Sequence, residues 1–184
     1  MGSIIKVNEY KDFNNNDIMT SDGSGNVTPN ASGLKATPAF EAYLASDQSS
    51  ITSATATKVQ FANTHFDTDS AFNTSTYRFT PQVAGKYFFY SYYRIQNSVG
   101  NTNLGSSQNY LYKNGSVCKR IMTNPAANYM NSMSLTLSTI EEANGSTDYF
   151  EIYVYGLAVS GTASINGDSS GDRSIFGAYR IIGA

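Results

Sequence analysis

The stretch Lys86-Tyr87-Phe88-Phe89-Tyr90-Ser91-Tyr92-Tyr93-Arg94-Ile95 decides the fold of this chain. Six of its ten residues are aromatic, and no turn-forming residue interrupts it. Successive side chains of a β-strand point to opposite faces, so both faces of this strand would carry aromatic rings. A strand with one face in water alternates apolar and polar residues, and this one does not. The stretch therefore predicts a strand that is covered on both faces.

The two faces of this strand differ in what would cover them. One carries Tyr87, Phe89, Ser91, Tyr93 and Ile95, and the other carries Phe88, Tyr90, Tyr92 and Arg94. We expect a second sheet on one face and another subunit on the other, because tyrosine tolerates the partly wet boundary of an interface. The alternative is a strand covered on both faces within one chain. The charge of Arg94 favours the second set for the interface.

The composition predicts an all-β protein. The chain has 184 residues, which is enough for one domain plus an arm. Charged residues make up only 14% of it, well below the typical ~25%. Ser, Thr, Asn and Gly fill the polar positions instead, and these residues form turns better than helices.

The charge pattern argues against nucleic-acid and membrane partners. The net charge is −2 and there is no run of Lys or Arg, so the chain lacks the basic footprint that binds phosphate backbones or anionic lipid. No stretch approaches the 18 or so apolar residues of a membrane span, and no signal peptide is expected at the N-terminus. A single cysteine, Cys118, cannot form an internal disulfide. We expect assembly in a reducing cytoplasm.

Residues 1–37 are predicted to be an extended arm. The segment is poor in apolar residues, and Asn14-Asn15-Asn16-Asp17 and Ser21-Asp22-Gly23-Ser24-Gly25-Asn26 have turn composition. Such a segment is not expected to fold alone. It is either a flexible leader or an arm that becomes ordered on a partner. In the second case Ile4, Ile5, Lys6 and Val7 would anchor it as a strand added to an open sheet edge.

Residues 38–184 are predicted to form one compact head. Eight to ten strands are expected there, with no helix and no repeat, which indicates a sandwich or barrel. Asn114-Gly115 predicts a two-residue hairpin turn, because both residues tolerate left-handed conformations. The strand at 149–155 would direct Phe150, Ile152 and Val154 to the core. Its other face forms a second tyrosine-rich surface, with Tyr149, Glu151, Tyr153 and Tyr155.

Taken in order, residues 38–183 resemble the complement 1q globular head, in the superfamily shared with tumour necrosis factor. The strongest landmark is Phe79-Thr80-Pro81 followed by Gly85, Tyr87 and Phe89. The remaining landmarks, in family order, are Pro38-Ala39-Phe40-Glu41-Ala42, Val59-Gln60-Phe61 with Asn63, Leu111-Tyr112-Lys113-Asn114-Gly115, and Phe176-Gly177-Ala178-Tyr179. The chain departs from the animal family in its missing disulfides and long loops.

The resemblance implies a jelly-roll β-sandwich of about ten antiparallel strands that assembles as a tight homotrimer. Aromatic faces are buried around the threefold axis in that family. The expected trimer interface therefore comprises Phe88, Tyr90, Tyr92, Arg94, Tyr149, Tyr153 and Tyr155. The arm is similar, over a short stretch, to the leaders of jelly-roll proteins of marine bacterial viruses.

No catalytic residue, cofactor or metal is predicted. His65 is the only histidine, and no nearby sequence motif pairs it with a nucleophile. Cys118 falls in a hairpin strand, where a structural thiol is expected. Loop carboxylates at Asp67-Thr68-Asp69 and at 167–172 have the oxygen chemistry of calcium ligands but not the spacing of a known calcium loop.

The expected function is structural. We expect a non-enzymatic virion protein, a trimeric knob on a phage particle, most simply a capsid decoration or cement protein docked by its arm. Its partners would be further copies of itself and the major capsid protein or another virion protein, and it would lie on the virion surface. The alternative is the receptor- or glycan-binding head of a tail fibre or adhesin. The long loops predicted at 46–57, 97–106 and 160–172, however, carry no aromatic residue to stack on sugars.

Overall fold

The computed structural model describes residues 9–30, 37–98, 104–125 and 130–182. These residues form strands and connections and include no helix, as the composition predicts, and thus no helix that could span a membrane. The chain divides into two units, Met1–Thr37 and Pro38–Ala184. The anchor predicted at Ile4, Ile5, Lys6 and Val7 lies outside the described residues.

The N-terminal unit contains a three-stranded antiparallel sheet. Its strands, in the order β1-β2-β3, are β1 (Glu9–Lys11), β2 (Asp17–Ser21) and β3 (Val27–Pro29). The turn between β1 and β2 is held by the carboxylate of Asp12, which accepts hydrogen bonds from the backbone N–H groups of Asn14 and Asn16 (2.8 and 2.9 Å). In the second turn, Asp22 accepts the N–H groups of Ser24 and Asn26 in the same way (2.7 and 3.2 Å).

These paired turns explain why the segment forms a sheet although its apolar residues are few. Each turn repeats the pattern Asp-x-x-x-Asn. The aspartate carboxylate accepts hydrogen bonds from backbone N–H groups that the turn would otherwise leave unpaired. In register, Tyr10, Met19 and Pro29 lie opposite one another and share a face. Tyr10 is 49% exposed, and none of the described residues of this unit is buried.

The second unit is a sandwich of two antiparallel sheets. Its strands are β4 (Ala39–Tyr43), β5 (Gln48–Ile51), β6 (Thr57–Lys58), β7 (Asn63–Asp67), β8 (Phe72–Asn73), β9 (Arg78–Phe79), β10 (Gly85–Asn97), β11 (Leu104–Lys113), β12 (Ser116–Thr123), β13 (Ser132–Ala143), β14 (Phe150–Ala158), β15 (Ala163–Ile165) and β16 (Ile175–Arg180). The first sheet centres on β10, which pairs with β13 on one side and with both β16 and β15 on the other. Beyond β16 the sheet continues with β4 and then β7, and beyond β15 it continues with β5. The second has the order β12-β11-β14-β9-β8, with β6 also pairing with β14.

The core lies between the two sheets and is largely aromatic. Phe40 and Phe79 stack with ring centroids 4.2 Å apart, and Phe89 lies 4.3 Å from Phe150 across the sandwich. A polar contact crosses the same space. Asn109 donates to the Ser91 hydroxyl (2.9 Å), and both side chains are buried. Buried polar groups are tolerated when they are paired in this way.

The hairpin predicted at Asn114-Gly115 is confirmed. The two residues have φ values of 53° and 80°, the left-handed pair that a primed two-residue turn requires, and they join β11 to β12. The loops predicted at 46–57 and 160–172 are more ordered than expected, since β5 lies in the first and β15 in the second. These short strands pair with each other at the edge of the first sheet, a long-range contact that local composition does not reveal.

Candidate assembly surface

Strand β10 buries one of its faces and presents the other outward. Tyr87, Phe89, Tyr93 and Ile95 are at most 1% exposed and form the core. Phe88, Tyr90 and Tyr92 are partly exposed and Arg94 is exposed, so the set favoured from the sequence is the outward one. We call the outward side of the first sheet the aromatic face.

Register extends the aromatic face across neighbouring strands. Phe88 lies opposite Ile140 of β13 and Tyr179 of β16, and its ring centroid is 5.3 Å from that of Tyr179. Ile140 is 53% and Tyr179 is 48% exposed. Neighbouring apolar side chains this exposed are characteristic of a surface that meets a partner.

Tyr90 lies flat on this face because Gly177 lies beneath it. A Cβ atom placed on Gly177 would be 2.3 Å from Cζ of the Tyr90 ring, so any larger residue would displace the ring. The Tyr90 hydroxyl reaches across β16 and donates to Glu41 Oε2 of β4 (2.8 Å). Burial, together with this hydrogen bond to a carboxylate, raises the pKa of Tyr90 well above its ordinary value.

The hydrogen bonds that begin at Tyr90 continue through Glu41 to His65, at the edge of the face. Its Nδ1 lies 2.8 Å from Glu41 Oε1, and its Nε2 lies 3.1 Å from the carbonyl oxygen of Ser170. Both partners are acceptors, so both ring nitrogens must carry protons for the two hydrogen bonds to exist together. The hydrogen bond to Glu41 accordingly raises the pKa of His65 above its ordinary 6.5. The ring also stacks on Tyr43, with centroids 4.3 Å apart.

A loop preceding β16 is fixed against the same side of the sheet. The Tyr92 hydroxyl donates to the carbonyl oxygen of Asp172. Gly171 approaches Tyr43 and His65 so closely that an added Cβ would lie 2.5 Å from His65 Nε2. Tyr92 is therefore partly covered by its own chain.

An exposed apolar edge lies on the other sheet and was not identified from the sequence. Strand β12 is an edge strand, and three of its apolar side chains are between 42% and 57% exposed: Val117, Ile121 and Met122. Ile121 and Met122 are adjacent in sequence, so one of them faces away from the core in any strand. This apolar pair is visible in the sequence. The position of β12 at the edge of its sheet is not, because it depends on the order of the strands.

The two predicted tyrosine sets lie on different sheets of one head. Tyr149 immediately precedes β14, and Tyr153 and Tyr155 point outward from it, so this set lies on the second sheet. The set of β10 points outward from the first sheet, on the opposite side of the sandwich. Alternation identifies the outward residues of each strand but not the sheet to which the strand belongs.

The remaining candidate residues have structural partners. Burial raises the pKa of the Cys118 thiol to about 11, and its Sγ donates to the Leu111 carbonyl oxygen (3.3 Å). Asp67 accepts the N–H groups of the turn that follows it, and Asp168 accepts those of Gly171 and Asp172. Among the described residues, no group of three or more His, Cys, Asp or Glu is placed to hold a metal ion.

Comparison with known proteins gives structural matches only. No family model and no curated protein matches the sequence. The structure is similar to murine APRIL (TM-score 0.55, 10% identity, 79% of this chain and 99% of that one) and to the Eiger TNF of S. frugiperda (TM-score 0.60, 9% identity, 80% and 94%). It is also similar to the globular domain of the zebrafish complement 1qA protein (TM-score 0.54, 16% identity, 79% and 97%). The chain therefore has the jelly-roll fold of the tumour necrosis factor and complement 1q domains.

Proposed function

We propose that the head assembles as a homotrimer through the aromatic face of the first sheet. The observation that carries this proposal is the apolar cluster on that face, in which Ile140 and Tyr179 are exposed and Phe88 is partly exposed. The exposed apolar edge formed by β12 supplies a second, different surface on the same chain. When an edge of one subunit meets the face of the next, the contact is heterologous, and repeating it around an axis closes a ring. Three such contacts would cover both surfaces in every subunit.

The experiment is a comparison of oligomeric states. Phe88→Glu places a charge in the centre of the aromatic face and should dissociate the trimer, because an unpaired charge is costly to bury. Val159→Glu is the control, since Val159 is an exposed apolar residue (52%) outside this face. Light scattering of the two variants gives the result. Equal masses for both variants would contradict the assignment of the face.

We further propose that the protein is a non-enzymatic structural protein of a virus particle, a capsid decoration or cement protein at the virion surface. Three features support this role: a single compact head, a separate small N-terminal unit, and the short similarity of residues 1–37 to leaders of viral jelly-roll proteins. The face of the N-terminal sheet that carries Tyr10, Met19 and Pro29 would supply the docking surface. Its partner would be the major capsid protein or another virion protein.

Deletion of residues 1–37 tests the docking role. The head should remain a folded trimer, because its core lies entirely within the second unit. Binding to undecorated capsids should be lost. Capsid binding at full strength by the truncated chain would refute docking through this unit. The alternative role, the receptor- or glycan-binding head of a tail fibre or adhesin, is favoured by one feature, the tyrosine-rich outward surface of the second sheet.

A further inference from the structure

Aromatic rings and cations alternate across the outward surface of the second sheet. Tyr112 of β11 stacks on Tyr153 of β14, with ring centroids 4.1 Å apart. Lys58 Nζ lies 5.8 Å from the Tyr153 centroid, and the guanidinium carbon of Arg78 lies 4.1 Å above the ring of Tyr149. We call these five residues the cation ladder. Contacts of this kind restrict the movement of side chains that are otherwise flexible.

A buried carboxylate lies beneath the ladder. Glu151 is 1% exposed, and its Oε1 accepts hydrogen bonds from both Lys58 Nζ (2.5 Å) and Arg78 Nε (2.7 Å). The two cations therefore meet on a single oxygen atom. One carboxylate neutralises only one of them, so the group carries a surplus positive charge. This charge sits where partial burial strengthens its field compared with open water.

The guanidinium of Arg78 is oriented towards a further partner. Glu151 occupies its Nε and Tyr149 covers one face of its plane, while the side chain remains 39% exposed. Within the described part of the chain, no acceptor is bonded to its two Nη groups. An arginine held in this way presents a planar pair of donors, which matches the geometry of a carboxylate.

We propose that the cation ladder binds the carboxylate of an acidic saccharide, such as a uronic or sialic acid. One surplus charge matches one carboxylate, whereas a polysulfated or polyphosphate chain would require more cations. Tyr149 and Tyr153, both partly exposed, lie beside the cations and offer ring edges and hydroxyls to the C–H and O–H groups of a sugar. The site lies within one head and depends on neither the trimer nor the viral role.

Ligand titration followed by protein NMR tests the proposal. The probes are N-acetylneuraminate and glucuronate, with neutral N-acetylglucosamine as the ligand control. A single ion pair with ring contacts should give a dissociation constant of about 1 mM for the acidic sugars. The neutral sugar should bind at least about tenfold more weakly, since it lacks the carboxylate.

Two variants locate the site. Arg78→Lys keeps a cation beside Glu151 but removes the planar pair of donors, and Lys58→Met removes the second cation; each should weaken binding about tenfold. Lys119→Met is the matched control, because Lys119 is a 53% exposed lysine on edge strand β12, outside the ladder. Far-UV circular dichroism establishes that each variant is folded before titration.

Several results would overturn the proposal. Binding of the acidic sugars that Arg78→Lys leaves unchanged would place the ligand elsewhere. Equal binding of the neutral sugar would show that the surplus charge has no role. Tighter binding of a glutamate-containing peptide than of either acidic sugar would assign the site to a protein partner. None of these results bears on the oligomeric state, which is measured separately.

Discussion

Replacement of Gly177 by alanine tests whether the aromatic face is built as the structure indicates. Gly177 has no positive φ, so its backbone accepts alanine. In a strand without a clash, replacing glycine by alanine should stabilise the fold by about 0.5–1 kcal/mol, because glycine loses more conformational freedom on folding. Here the new methyl group would lie 2.3 Å from the Tyr90 ring and 2.4 Å from its hydroxyl oxygen.

The size of the effect follows from this contact. Carbon atoms that are not bonded lie about 3.5–4.0 Å apart, so the Tyr90 ring must retreat by about 1.2–1.7 Å. That movement disturbs its hydrogen bond to Glu41. Insertion of a methyl group into a packed site costs about 1–3 kcal/mol. The net loss should be about 1–2 kcal/mol, which lowers Tm by roughly 2–8 °C for a domain of this size.

The assay is a double-mutant cycle measured by thermal and urea unfolding at one fixed protein concentration. In the Tyr90→Ala background the methyl group has no ring to displace, so Gly177→Ala should become stabilising. The sign change between the two backgrounds isolates the contact. If Gly177→Ala changes the free energy of unfolding by the same amount and in the same direction in both backgrounds, Tyr90 does not lie over Gly177. The packing described for the aromatic face would then be wrong.

Three further predictions follow from particular contacts. The raised pKa of His65 means that its protonated form stabilises the fold. The contribution of His65 to the free energy of unfolding should therefore be complete below pH 6.5 and be lost as the pH rises through the higher pKa of the folded state. His65→Gln should remove this dependence of the urea midpoint on pH. Cys118, with its pKa raised to about 11, should resist iodoacetamide at pH 8 in the folded protein and react quickly in urea, and rapid labelling of the native chain would contradict its burial. Ser91→Ala should cost about 1–3 kcal/mol in urea unfolding because it leaves the buried Asn109 amide without its hydroxyl partner, and a neutral result would show that this pair does not bridge the sheets.

Local sequence patterns predicted the parts of the fold that depend on neighbouring residues. The Asn114-Gly115 turn was predicted because its conformation is a property of two residues. The outward face of β10 was predicted because alternation, together with Arg94, separates two sets of side chains.

Features that depend on sheet order could not be predicted in the same way. Alternation gave the outward residues of β14 but not its place in the second sheet, so Tyr153 was grouped with Tyr90. The packing role of Gly177 could not be predicted from the sequence, because it arises only when β16 lies beside β10. Glu151 was assigned to an outward face, and its burial became evident only with Lys58 and Arg78 above it. In the N-terminal unit, side-chain-stabilised turns form a sheet that hydrophobicity alone did not predict.

The mass of the full chain in solution is the most direct test of the central claim that the aromatic face joins identical subunits. Multi-angle light scattering at micromolar concentration should give three times the mass of one chain, and Phe88→Glu should reduce it to the mass of a single folded chain. A wild-type protein that is monomeric over the whole concentration range, with a cooperative unfolding transition, would contradict the proposed assembly.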